Sequence, residues 1–138
     1  MNDNIYIHPC LPDVGIEMAE RKGLGHPDTI CDSIAEEVSI ALSRYYLGEF
    51  GSILHHNVDK ALLVGGKSLP AFKGGEIIQP IEIYIAGRAT DEVKGKKMPV
   101  EEIAIDAAKN WLNKNIRFLD TESNVIVIPK IRSGSQDL

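Results

Sequence analysis

Three stretches of the chain combine side chains that can do chemistry. In Gly25-His-Pro-Asp28 a histidine and a carboxylate flank a proline where a helix begins. A helix N-terminus has free backbone N–H groups and positive potential, so it attracts phosphate. His26 there can donate a hydrogen bond to a phosphate oxygen, and Asp28 can hold Mg²⁺. The same string also has a purely structural use, with Pro27 as a first-turn proline and Asp28 as a carboxylate opposing the helix dipole. In His55-His56-Asn57-Val58-Asp59, two histidines and a carboxylate are metal-ligand types. On a strand, however, His55 and His56 point to opposite faces and do not easily share one ion. The bland alternative is a polar start to a strand. In Ser133-Gly-Ser-Gln-Asp137, small residues with free N–H groups and hydroxyls can cradle phosphate or ribose, although ordinary turns have the same composition. Gly65-Gly66 and Gly74-Gly75 lack the Lys-Ser/Thr ending of a phosphate loop and read as turns.

These stretches must be held by regular elements. After an irregular opening with Pro9 and Pro12, Gly15-Ile-Glu-Met-Ala-Glu20 alternates and predicts a short strand. Gly23 to Asp28 is a loop by its glycines and proline. From Thr29, the spacing of Ile30, Ile34, Val38, Ala41, Leu42 and Tyr45 predicts an amphipathic helix that stops at Gly48 and Gly51. Asp59 to Gly66 reads as a strand, and Lys67 to Gln79 as a surface loop. Pro80 to Ala86 is the clearest strand, with Ile81, Ile83 and Ile85 on one face. A basic loop, Asp91 to Lys97, leads to Pro99 at the first position of a second helix, whose buried stripe is Ala104, Ala108, Trp111 and Leu112. Asn124 to Ile131 is a last strand. Helices alternating with strands in this order predict an α+β fold, a mixed sheet with helices packed on one face.

Composition bounds the function. A chain of 138 residues with 43% apolar and 25% charged residues reads as one soluble globular unit. Its apolar runs, such as Ala61-Leu-Leu-Val64, are far shorter than the ~20 residues of a membrane helix. Met1-Asn-Asp-Asn-Ile has no secretion-signal pattern. Cys10 and Cys31 form no metal or disulfide framework, and a reducing cytoplasm is the expected compartment. A net charge of −5 argues against nucleic-acid binding. It also means that a phosphate ligand needs Mg²⁺, or cations from elsewhere.

In chain order, Glu20-Arg-Lys-Gly-Leu-Gly-His-Pro-Asp28, His55-His-Asn-Val-Asp-Lys60, Leu63-Val-Gly-Gly66, Phe72-Lys-Gly-Gly-Glu76 and Ala86-Gly-Arg-Ala-Thr90 resemble the archaeal branch of the S-adenosylmethionine synthetases. The resemblance runs from about Val14 to Leu138. It implies synthesis of S-adenosylmethionine from ATP and L-methionine, with phosphate and pyrophosphate released, Mg²⁺ as cofactor and K⁺ as an accessory ion. It implies a fold of three similar α+β units with interleaved segments, of which residues 1–138 are an amino-terminal portion, inactive alone. It also implies a homodimer with active sites between subunits.

Carried over by position, His26 contacts the triphosphate near the leaving oxygen, Asp28 binds a metal, and Glu20 sits in the substrate pocket. Gly134, Ser135, Gln136 and Asp137 match the nucleoside-binding segment, and Asn57 and Asp59 line the pocket. Lys67 stands where the bacterial branch has an acidic residue, so that role does not transfer. The cationic half of the triphosphate site is expected beyond position 138. Two other readings stay open on the residues alone: a metal-dependent phosphohydrolase using His26, Asp28, His55 and Asp59, and a non-catalytic dimerisation module with an exposed sheet face.

Overall fold

The computed structural model describes Ile16 and residues 18–134. Ser135, Gln136 and Asp137 lie outside the described residues, as do Cys10, Gly15 and Glu17. Helix α1 (Pro27–Phe50) is followed by β1 (His56–Val64), β2 (Lys67–Ala71), β3 (Gly74–Gln79), β4 (Ile81–Ala89), β5 (Glu92–Val93) and β6 (Lys96–Lys97). Helices α2 (Val100–Asn115) and α3 (Thr121–Asn124) and strand β7 (Val125–Ser133) complete the order.

The main sheet has the order β1-β4-β7, with β1 antiparallel and β7 parallel to the central β4. A parallel neighbour requires a crossover, and α2 supplies it. Ile30, Ile34, Val38, Leu42 and Tyr46 recur every fourth residue of α1 and are all buried. They pack with Val58, Ile83, Ile85, Val125 and the stripe Val100, Ala104, Ala108, Trp111 and Leu112 of α2. Ala104 and Ala108 are 0% exposed, and their small size lets α2 come close. Both helices cover one face of a mixed sheet, so the expected α+β architecture is the observed one.

The other face is bare. Leu62, Tyr84 and Ile128 stand side by side across the three strands, as do Val64, Glu82 and Ile126. Leu62, Val64 and Ile126 are exposed. Nothing among the described residues covers this row.

Several local expectations are corrected. Ile16 and Met18–Glu20 are irregular rather than a strand; alternation makes a strand only beside a sheet edge, and Ile16 and Met18 stay exposed. Helix α1 begins at Pro27 and runs through Gly48, and Gly51 alone ends it. Gly51 takes φ 70° and donates its N–H to the Leu47 carbonyl, a left-handed cap that glycine adopts without strain. Pro99 precedes the first turn of α2 as its cap instead of opening it. Residues 67–79 are not a loop but the β2–β3 hairpin. Every residue of both strands is exposed, so no burial alternation betrays the hairpin in the sequence. The basic loop before Pro99 likewise holds the small β5–β6 hairpin, turned by Lys94 and Gly95 at positive φ.

Candidate functional site

His26 is the N-cap of α1, at φ −70° and ψ 135°. Its Nδ1 accepts the backbone N–H of Asp28 at 3.1 Å. With Nδ1 occupied as an acceptor, the neutral ring carries its proton on Nε2. The ring is held further by a turn in which the His26 N–H donates to the Gly23 carbonyl at 3.1 Å. Pro27 has no N–H and that of Asp28 is taken, so the first turn offers fewer backbone donors than a generic helix start. Lys22 fills part of that gap. Its Nζ donates to the Asp28 carboxylate, and both side chains are 59% exposed. This hydrogen bond and the lysine charge hold the Asp28 carboxyl below its ordinary range. Lys22 lies in the Glu20–Asp28 motif without an assigned role there; the glycines between it and His26 are the signal that the chain turns back.

His55 and His56 part company, as strand geometry requires. His56 Nδ1 donates to the Leu54 carbonyl at 2.9 Å, leaving Nε2 to accept from the hydroxyl of Ser39 at 3.0 Å. Ser43 stands at 3.4 Å from the same nitrogen, and the Tyr46 ring lies against the imidazole. His56 therefore ties β1 to α1. His55 is exposed, and its carbonyl accepts from both the N–H and the hydroxyl of Thr90, each at 3.0 Å.

Asn57 and Asp59 flank a bulge. Asn57 pairs with Arg88 but Lys60 pairs with Ala86, so one extra residue of β1 is accommodated opposite Gly87. A Cβ on Gly87 would lie 2.3 Å from the Asn57 carbonyl oxygen. Here glycine is required by close approach. Asn57 and Asp59 open onto a groove of about 310 Å³ between β1 and α1, shared with Asp32, Glu36, Ser39 and His56. Lys60 lowers the Asp59 carboxyl by a hydrogen bond and its charge.

Gly134 donates its N–H to the Ala89 carbonyl at 2.8 Å, and a Cβ there would lie 3.4 Å from His55 Nδ1. Arg88 Nη1 donates to the Ser133 carbonyl at 3.1 Å, and the Ser133 hydroxyl to Asp91 at 2.6 Å. The start of β1 and the ends of β4 and β7 thus share one end of the sheet. The C-terminal half of α1 lies there too, because the Tyr46 hydroxyl donates to the Thr90 carbonyl at 2.8 Å. The N-terminus of α1 is at the other end, where the Cys31 thiol meets the backbone of Leu63. From Asp28 to Tyr46 the helix covers about 27 Å at ~1.5 Å per residue.

The expected site residues therefore form two groups at opposite ends of one sheet. His26 and Asp28 stand at one end, joined by Lys22; Glu20 is exposed just before them in the chain. Gly134 and His55 stand at the other, and Asn57 and Asp59 follow from it along β1. His26, Asp28, His55 and Asp59 are not gathered into one cluster among the described residues. Among the described residues no three His, Cys, Asp or Glu side chains converge as a metal cage. No helix among them is long and apolar enough to cross a membrane.

An α+β chain with a capping histidine and carboxylate at one end of its sheet and a glycine-opened polar segment at the other is the class defined here. It belongs to the S-adenosylmethionine synthetase family, whose profile, described as S-adenosylmethionine synthetase (AdoMet synthetase), matches residues 5–138. The chain is 61% identical over 122 residues to a probable S-adenosylmethionine synthase of Aquifex aeolicus, covering 88% of this chain and 30% of that protein. It is 52% identical to the S-adenosylmethionine synthase of Saccharolobus solfataricus, covering 99% of this chain and 35% of the relative. For the enzyme of Aeropyrum pernix the values are 53%, 96% and 34%. The chain thus spans about a third of the length of these curated relatives.

Proposed function

We propose that the chain is the amino-terminal portion of a cytoplasmic enzyme that makes S-adenosylmethionine from ATP and L-methionine, and that alone it is inactive. Membership in the family supports the reaction, and the relatives' greater length supports the incompleteness. The observation that carries the site is the capping geometry of His26.

In this reaction the methionine sulfur forms a bond to C5′ of ATP as the C5′–O bond breaks, and the electron pair leaves with the triphosphate. A thioether needs no base to activate it. The chain's contribution is alignment and donors aimed at the oxygens where charge gathers. His26, its Nδ1 fixed by the helix, presents Nε2–H as such a donor. Asp28 suits Mg²⁺, which commonly takes one or two carboxylates and completes its shell with phosphate oxygens and water. The ion would screen the leaving triphosphate, whose later cleavage gives phosphate and pyrophosphate. Glu20, Asn57 and Asp59 line the substrate pocket, and Gly134 to Asp137 hold the nucleoside; K⁺ is an accessory ion.

The start of α1 and Gly134 lie towards different ends of the sheet, which supports a homodimer in which each active site takes His26 and Asp28 from one subunit and the Gly134 segment from the other. The bare row of Leu62, Val64 and Ile126 is suited to a subunit or repeat interface. As one of three similar units, this portion would leave that face to the rest of the assembly.

The test is methionine dependence in the full-length protein. S-Adenosylmethionine formed together with phosphate and pyrophosphate is the expected result. ATP cleavage that proceeds equally well without methionine would overturn the proposal, as would full turnover by the 138-residue chain alone.

A further inference from the structure

Lys22 has no part in the proposed reaction, yet its ammonium is in contact with the Asp28 carboxylate. We propose that Lys22 is an internal counter-cation of the site: it holds the Asp28 carboxylate while no metal is bound and moves to the phosphate chain when metal and triphosphate arrive. This rests on the reading of Asp28 as a metal ligand.

The geometry carries it. Lys22 and Asp28 are six residues apart, and the Gly23 to His26 turn folds the lysine back over the helix start. A Cβ added at Gly23 or Gly25 would meet nothing within 4 Å, so the turn between Lys22 and His26 is open around both glycines. Both partners are more than half exposed, and ion pairs of that kind are weak and readily exchanged. A divalent ion and an ammonium compete for one carboxylate. Once displaced, the ammonium remains tethered beside the anion that enters with the metal, on a flexible four-carbon stem. The negative balance of the chain, −5 overall, makes such a local cation more necessary. The cationic half of the phosphate site is thus not wholly beyond residue 138.

The consequence is an ordering of ligands. Lys22 disfavours metal binding to the empty site and favours joint binding of metal and polyphosphate. The experiment uses the full-length protein with Lys22→Gln and Lys22→Met, each checked for an unchanged melting temperature. Mn²⁺ binding without nucleotide is followed by electron paramagnetic resonance, and inorganic tripolyphosphate binding in saturating Mg²⁺ by calorimetry. Both variants should bind Mn²⁺ about threefold or more tightly, since a competing exposed pair has been removed, and should bind tripolyphosphate more weakly. Lys22→Arg should behave like the parent in both measurements. Asp28→Asn supplies the reference. If it abolishes a Mn²⁺ site while both Lys22 variants leave Mn²⁺ or tripolyphosphate affinity unchanged, Lys22 has no such role and the metal reading stands. If Asp28→Asn loses no Mn²⁺ binding, the metal reading fails and this proposal with it.

Discussion

The Nδ1 of His26 accepts the backbone N–H of Asp28 at 3.1 Å, so one imidazole starts α1 and leaves its other nitrogen out of the cap. Helix capping is observed, and the proposed anion recognition would use the same ring. The tautomer follows from the cap.

That junction separates two substitutions. Asparagine is a good N-cap, so His26→Asn should keep the melting temperature, whereas His26→Ala should lose about 1 kcal/mol of stability. Both lack the Nε2–H donor, and both should lower the full-length enzyme's turnover about a hundredfold or more. Thermal melts and steady-state kinetics on the pair decide it. Wild-type turnover in His26→Asn would leave the histidine with only its cap.

Gly87→Ala should destabilise the chain by about 1–3 kcal/mol through overpacking. Its Cβ would lie 2.3 Å from the Asn57 carbonyl oxygen and 2.7 Å from Val58 Cα, both backbone atoms that a rotamer change cannot move. Gly25→Ala is the control, with nothing within 4 Å of the added carbon. Urea midpoints for the two variants should differ clearly. Equal midpoints would mean that the bulge opens without cost.

The bulge marks the limit of what the sequence made legible. Ile30 to Tyr46 and Ile81 to Ile85 show their elements because one face of each is buried, and burial imposes a period. The β2–β3 hairpin buries neither face and left no such trace. His26 and Asp28 were readable because capping is local chemistry. The meeting of His55 with Gly134 was not, since it depends on β4 lying between β1 and β7. Nor was the placing of His26 and His55 towards different ends of the sheet, which follows from the length and direction of α1.

The Tyr46 hydroxyl, donating to the Thr90 carbonyl, gives a pH dependence. Burial is the main cause that pushes its pKa up to about 12, from 10.0. A raised folded-state pKa favours the protonated form, so the stabilisation is complete below the unfolded value and is lost as pH rises from 10.0 through about 12. Tyr46→Phe should cost about 1 kcal/mol at neutral pH, by loss of the hydrogen bond. It should also flatten the fall in stability above pH 10.0. Urea titrations across the alkaline range test both points. An equally steep fall in the variant would assign it to other groups.

Leu62 is 61% exposed at the centre of the bare sheet face, beside Tyr84. A charge there should remain hydrated in a free subunit but be desolvated in a paired one. Leu62→Glu should therefore shift the full-length protein from dimer toward monomer in sedimentation, with little change in helix content. An unaltered dimer would place the subunit contact elsewhere.

The sharpest test of the proposed site between subunits is complementation. Let one full-length subunit carry His26→Asn and the other Asp137→Asn, each inactive as a homodimer. In a mixed dimer with sites shared between subunits, one site collects both changes and the other collects neither. Random reassortment of equal amounts makes half the dimers mixed, each with one intact site, so about a quarter of wild-type activity should return. If each subunit instead built its own site from its own His26 and Asp137, no combination would contain an intact one. Activity is measured after the two variants are co-refolded, with separately refolded variants as the blank. Recovery near a quarter supports sites made between subunits. No recovery, with mixed dimers verified by mass spectrometry, would mean that His26 and Asp137 act within one subunit.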